Sequence, residues 1–185
     1  MRIISGEARG RTLFAPAGDQ TRPTSDKIRG SLFNILGSRV RGAVVLDLFG
    51  GTGALALEAL SRGAARAVIA DNARRAIEVI SRNASNVLKD DMDTRVRIVR
   101  SDYRSALAGL EDRFDLVFLD PPYRMTDAYA DAIVRLRSAD RLTSDAVIVC
   151  ERRRDAVIGV PDGFEIYDTR NYGETVIDFV RRTEI

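Results

Sequence analysis

The sequence predicts an α/β protein built on an open, mostly parallel β-sheet with helices on both faces and a C-terminal antiparallel hairpin. Three observations carry that expectation. From residue 43 onward, short apolar runs alternate with amphipathic segments, the rhythm of strand, crossover helix and parallel strand. The first run leads into DLFGGTGALALEAL at 47–60, a glycine-rich strand-to-helix turn. The last two runs, GFEIYDTRNYG and ETVIDFVRR, follow each other with no helical segment between them, so they pair antiparallel.

Taken in order, residues 1–24 place Gly6, Gly10, Pro16, Gly18 and Pro23 around the short apolar pieces Ile3-Ile4 and Thr12 to Phe14. This pattern predicts a small β-hairpin and loop, an N-terminal arm preceding a main domain at 25–185. In SDKIRGSLFNILG, Ile28, Leu32, Phe33, Ile35 and Leu36 recur at helical spacing. Ser25 or Thr24 is a suitable N-cap and Gly37 a C-terminal stop. Strands follow at AVVLDLF, ARAVIAD, RVRIVRSD, FDLVFLD and DAVIVCE, which with the final pair makes seven. Between them lie helices in GALALEALSRG, NARRAIEVISRNASNVLK, residues 103–109 and TDAYADAIVRLRSA.

Composition narrows the chemistry. With 185 residues one domain plus a small appendage is the default. No apolar run reaches the roughly 18 residues of a membrane span, and MRIISGEARGR lacks the apolar centre of a signal peptide, so a cytoplasmic location with no membrane partner is expected. The chain has no histidine and one cysteine, Cys150. Serine–histidine and cysteine–histidine catalysis, disulfides and the usual zinc sites are thereby excluded, and no metal is expected. Cys150 lies in the apolar run AVIVCE and reads as a buried strand residue. The net charge is +2, yet residues 1–42 carry eight basic and three acidic side chains. A basic arm on a near-neutral body is the electrostatic pattern of a phosphate-backbone binder.

The residues that bear chemistry cluster at predicted strand ends. Gly50, Gly51 and Gly53 let the backbone turn tightly beside a ligand, and the helix start there suits a polar group. Asp71 ends the next strand about 20 residues on, where an acid takes ribose hydroxyls. The turn is D-x-F-G-G-T-G, with Phe49 where a dinucleotide motif has its first glycine and Asp47 leading in. An extra carboxylate suits a cofactor carrying an ammonium and a sulfonium better than one carrying a pyrophosphate. Asp102 ends the third strand and would border the same crevice, near an adenine. The fourth strand ends in DPPY, residues 120–123. An exocyclic amine on a nucleobase is a poor nucleophile, because its lone pair is delocalised into the ring. The Asp120 carboxylate and the Pro121 carbonyl could hold its two hydrogens and aim that lone pair. Pro121 and Pro122 fix φ and lack N–H groups, so the loop is pre-shaped. Tyr123 offers a stacking face for a flipped-out base.

At these residues the chain resembles the S-adenosylmethionine-dependent amino-methyltransferases, whose signature is this glycine motif followed by [DNS]-P-P-[YFW]. More specifically it resembles the RsmD family of bacterial small-subunit ribosomal RNA guanine-N(2)-methyltransferases. RIISGEARGRTL is similar to that family's opening hairpin, RPTSDKIRGSLFNIL to its R-P-T helix, and DLFGGTGALALEALSRGA and LDPPY follow in order. The resemblance implies a Rossmann-like class I methyltransferase sheet, S-adenosylmethionine as cofactor, and 16S ribosomal RNA as partner, within the small subunit or an assembly intermediate, for a monomeric enzyme. It implies that Asp47, Phe49, Gly51, Thr52, Gly53, Asp71, Asn72, Asp102 and Tyr103 surround the cofactor. Asp120, Pro121, Pro122 and Tyr123 would hold the target base, and Arg22 and Thr24 would close the site from the N-terminal side; the charge of the arm, not the resemblance, makes Arg9 and Arg11 candidates for RNA phosphate. Gly30 stands where the family helix usually has glutamate. Rival readings fare worse: a nicotinamide dehydrogenase would need a dinucleotide motif and a His or Tyr-Lys base, and a DNA adenine methyltransferase a separate target-recognition domain.

Overall fold

The structure is a computed structural model that describes residues 1–16 and 25–183. Seven strands form one sheet: β1 (Val44–Asp47), β2 (Arg66–Asp71), β3 (Val96–Arg100), β4 (Phe114–Leu119), β5 (Leu142–Arg153), β6 (Phe164–Tyr172) and β7 (Thr175–Arg182). Their spatial order is β3-β2-β1-β4-β5-β7-β6. The first five run parallel, and β7 inserts antiparallel between β5 and β6. The order reverses between β1 and β4, so the crevice that binds ligands in open α/β sheets opens beyond the carboxyl ends of those two strands.

Helices cover both faces, as the buried rows of the strands require. Val45, Phe118, Val149 and Phe179 face α1 (Asp26–Leu36), α2 (Ala54–Ser61) and α3 (Arg74–Leu88). Leu46, Val117, Ile148 and Val180 face α5 (Tyr103–Ala108) and α6 (Ala128–Ser138). A single helical turn, α4 (Met92–Arg95), precedes β3 and was not expected, because KDDMDTR has no apolar periodicity.

The N-terminal arm pairs with itself through the antiparallel bridge Arg2–Thr12 and flanking main-chain hydrogen bonds. It is not a separate body, because Ile3, Ala8 and Leu13 are buried in the main core. Its anchor is Glu58 on α2, fully buried together with Arg29 on α1. The Glu58 carboxylate accepts the N–H groups of Ile4 (2.9 Å) and Ser5 (3.0 Å) and the Arg62 guanidinium (2.8 Å), with Arg29 Nε 3.5 Å away. The Arg29 guanidinium donates onward to the Arg2 carbonyl and to Asp26. Ser61 Oγ accepts from Ala8 N–H (3.0 Å) and donates to the Ser5 carbonyl (2.7 Å).

Gly30 lies mid-helix in α1, and a Cβ placed there would meet only Ile4 Cγ2, at 3.8 Å. That is ordinary van der Waals contact. Glycine costs a helix interior about 0.8–1.0 kcal/mol against alanine, so Gly30→Ala is expected to raise stability by about that amount in a urea titration.

Candidate active site

The glycine turn is shaped by sterics as much as by freedom of φ. A Cβ on Gly50 would lie 2.4 Å from Ile69 Cγ2 and 3.0 Å from Ile80 Cδ1. The backbone there packs directly on β2, with Gly50 N–H donating to the Ala70 carbonyl at 2.8 Å. Gly53 caps α2 in the left-handed region (φ 78°), which aims the helix start at the crevice. Asp71 braces this turn: one carboxylate oxygen accepts Gly51 N–H (3.0 Å), the other Ala73 N–H (2.9 Å). Each oxygen keeps a lone pair for a further donor, so bracing the loop and accepting ribose hydroxyls are compatible. Asn72 beside it is exposed, and Thr52 is half-buried, its carbonyl taken by the Asn83 amide (2.9 Å).

Asp47 is buried under the turn and accepts the backbone N–H groups of Ala56 and Phe49. Burial, then the negative charge of Asp71 and, more weakly, of Glu151, push its carboxyl up to about 7, against those two hydrogen bonds. A buried acid in that condition is poised to receive a cation. Phe49 and Tyr103 pack ring to ring at 5.4 Å, and the Tyr103 hydroxyl is tied to Asp131 (2.7 Å). Asp102 is exposed, and its Oδ1 caps α5 by accepting Arg104 and Ser105 N–H groups at 3.0 and 3.1 Å.

DPPY follows β4 at the crevice. The carboxyl of Asp120 is pushed well above the usual carboxylate range, first by desolvation, then by the charges of Glu151 and Asp47. Its surface is nonetheless open to the crevice; the two facts agree for a group on the floor of a concave site, reachable from above and crowded by protein below. Pro121 is buried and Pro122 exposed. Tyr123 is 69% exposed, its ring 5.3 Å from the Arg153 guanidinium, so a large aromatic face stands free at the mouth.

Glu151 was not singled out in the sequence, where it closes an apolar run and reads as a strand end. Only the register reveals it. Leu119 pairs with Cys150 in the parallel β4–β5 ladder, which places Asp120 and Glu151 side by side. Cys150 itself points to the opposite face and is fully buried.

Of the remaining expected residues, Arg9 and Arg11 do not lie at the crevice. Arg9 is exposed at the tip of the arm, near Ser61 at the far end of α2. Arg11 donates to the Val87 and Asn86 carbonyls at the C-terminus of α3, so its fork is engaged on a helix end. Arg22 and Thr24 lie outside the described residues. A concavity of about 270 Å³ lined by Arg39, Arg41, Asp115 and Asp145 sits at the amino ends of β1 and β4, remote from this chemistry. Among the described residues no cluster of three or more His, Cys, Asp or Glu could hold a metal, and no helix is long and apolar enough to cross a membrane.

The strand order, the glycine turn after β1 and a crevice at the carboxyl ends of β1 and β4 define a class I methyltransferase fold. Within that class, residues 1–181 match the family model described as Conserved hypothetical protein 95, and the chain belongs to that family. It is 32% identical over 183 residues to Ribosomal RNA small subunit methyltransferase D of Escherichia coli (strain K12), covering 98% of this chain and 90% of that protein. It is 37% identical over 158 residues to YlbH of Bacillus subtilis (strain 168), 84% of each chain. The solved structure of Escherichia coli yhhF is similar with a TM-score of 0.86 at 30% identity, over 100% of this chain and 99% of that one.

Proposed function

We propose that this protein transfers a methyl group from S-adenosylmethionine to the 2-amino group of a guanine in small-subunit (16S) ribosomal RNA. Asp120 beside the rigid Pro121–Pro122 loop, at the crevice next to a buried acid that seeks a cation, is the observation that carries this reading. The named similarity to a ribosomal RNA methyltransferase supports the acceptor class. The cofactor supplies a methyl group already activated on a sulfonium. Asp47 would pair with its ammonium, Asp71 with the ribose and Asp102 with the adenine, while Phe49 and Tyr103 wall the site. Asp120 and the Pro121 carbonyl hold the two amine hydrogens, which frees the nitrogen lone pair for in-line attack. With the methyl group supplied from that sulfonium, Asp120 would receive the proton that the amine gives up. Positioning provides most of the acceleration. Tyr123 stacks on the extruded base. The enzyme is taken to act as a cytoplasmic monomer on the small subunit or its assembly intermediate, with Arg9, Arg11, Arg22 and Thr24 as its RNA-facing candidates.

The test is nucleoside mass spectrometry of small-subunit RNA from cells with and without the gene, followed by restoration of the methylated nucleoside with purified protein and labelled cofactor. Loss of a methylated nucleoside other than N2-methylguanosine would replace the guanine reading.

The raised carboxyl of Asp47 makes cofactor binding pH-dependent. Below about 7 the free protein holds a proton on Asp47 that the ammonium must displace. Affinity for S-adenosylhomocysteine, which keeps the ammonium, is expected to fall by up to about tenfold per pH unit below that point, and binding should release a proton. Calorimetry between pH 5.5 and 8 measures both. Asp47→Asn should bind more weakly and show no such slope.

A further inference from the structure

The ring that is to stack on the base is held by a bracket that the transfer as proposed does not use. Tyr123 follows the two prolines and opens a turn closed by the Met125 N–H, which donates to the Pro122 carbonyl at 2.8 Å. The backbone is therefore fixed, while the side chain projects from the turn, 69% exposed. Such a side chain is free to change rotamer, and among the described residues the Tyr123 ring has neither a hydrogen bond nor a ring–ring contact. One group lies over it, the Arg153 guanidinium, 5.3 Å from the ring centre. That is within the roughly 6 Å at which a cation is drawn to an aromatic face. Arg153 closes β5, where it pairs with Thr175 of β7. The main chain is held beyond it too: the Arg154 N–H donates to the Glu174 carbonyl (2.8 Å) and the Ala156 N–H to the Arg153 carbonyl (3.2 Å). Asp155 then fixes the guanidinium by two hydrogen bonds, from Nε at 3.0 Å and Nη2 at 3.2 Å. Sheet, guanidinium and ring thus form one line of contacts from β5 to the mouth of the crevice.

We propose that Arg153 is a positioning residue that holds the Tyr123 ring with one face covered, leaving the other as the platform on which the target base stacks. The inference rests on the base-stacking role given to Tyr123 above. An exposed tyrosine that turns freely offers both faces in several directions. A base extruded from RNA would have to order that ring as it binds, which weakens binding. With the guanidinium on one face, the ring is ordered before the RNA arrives and the base meets it from the other side. A guanidinium suits this duty better than an ammonium, because its edge stays in the Asp155 carboxylate while its face meets the ring. Arg154, next in sequence and also exposed, has no contact with a ring among the described residues. It is the natural control for charge alone.

A double-mutant cycle separates this role from others. Methyl transfer to small-subunit RNA, naked and in reconstituted subunits, is measured as kcat/KM for the wild type, Tyr123→Ala, Arg153→Ala and the double variant. Tyr123→Ala is expected to lower kcat/KM by about 5- to 150-fold, the range of one base–aromatic stack. Arg153→Ala should lower it by about two- to fivefold while the Tyr123 ring is present, the range of an exposed cation–π contact. Once Tyr123→Ala has removed the ring, Arg153→Ala should cost nothing further, because the two residues then act as one unit. In the Tyr123→Phe background the Arg153→Ala loss should return, since phenylalanine keeps the aromatic face. Arg153→Gln serves if the alanine variant does not fold. Arg154→Ala removes the same charge without touching the ring, so any loss it causes should be the same with and without Tyr123. The salt dependence of RNA affinity should be unchanged in Arg153→Ala. Equal Arg153→Ala losses with and without the ring, or a salt slope flatter by about 0.7, would make Arg153 a phosphate contact and overturn the proposal. No loss at all would overturn it as well. A wild type that methylates no guanine of small-subunit RNA, or a Tyr123→Ala variant as active as the wild type, would overturn the reading of the site and the proposal with it. Those two results are seen before Arg153 is changed, so the failures are distinct.

Discussion

Asp120→Ala is expected to lower methyl transfer by about 10²–10⁴-fold, the range spanned by an oriented proton acceptor, while S-adenosylhomocysteine affinity stays within a few-fold. In the proposed transfer Asp120 acts on the acceptor amine, not on the cofactor, whose side is assigned to Asp47 and Asp71. Asp120→Asn separates two duties, because asparagine keeps one oxygen to accept an amine hydrogen and cannot take the final proton. An asparagine variant between wild type and alanine would apportion the loss between holding and deprotonation. The sign of the pH effect follows from the environment. Desolvation, Glu151 and Asp47 raise the Asp120 carboxyl, so the group protonates earlier on acidification than an exposed aspartate does. The acid limb of the rate profile should therefore lie above the ordinary carboxylate range and disappear in Asp120→Asn. Single-turnover assays with labelled cofactor measure the rates and calorimetry the affinity. Full activity in the alanine variant would remove the amine clamp from the mechanism.

The second large effect concerns stability. Glu58→Ala removes the acceptor of Ile4 and Ser5 N–H and takes one of its carboxylate neighbours from Arg29, which is fully buried. Breaking a buried pair by deleting one partner costs about 3–5 kcal/mol. For a chain of this size each kcal/mol is worth about 2–4 °C, so the melting temperature should fall by about 6–20 °C. Scanning calorimetry reads the shift directly. Replacing Arg29 and Glu58 together by apolar residues of similar volume should recover much of the loss, because the buried charge is then gone.

The sheet could be read from the sequence because its signals are local. AVVLDLF, ARAVIAD and FDLVFLD are near-continuous apolar runs that suit a strand covered on both faces, and each carries at or near its end the acid that marks the crevice, Asp47, Asp71 or Asp120. DPPY was legible for the same reason: two prolines fix the loop without help from elsewhere. What escaped depends on distant partners. Glu58 in GALALEALSRG looks like an ordinary exposed helix position, and its burial is decided by Ile4 and Ser5, more than 50 residues away. Glu151 stayed hidden because strand register, not sequence spacing, sets it beside Asp120. Arg9 and Arg11 were read from charge alone. Charge counts do not say that Arg11 would find the carbonyls of α3 at a separation of 76 residues. KDDMDTR gave no periodicity because one helical turn is too short to have any.

Strand alternation has one more effect at Cys150. Glu151 looks into the crevice, whereas Cys150, one residue earlier, is sealed between the sheet and α6. Burial and the nearby charge of Asp178 also push its thiol up, away from thiolate. Oxidants and alkylating agents need an accessible thiolate, and the native protein offers neither access nor charge. Strand β5 thus carries its only sulfur one residue from a crevice-facing side chain and keeps that thiol out of redox chemistry through the two-residue period of a β-strand.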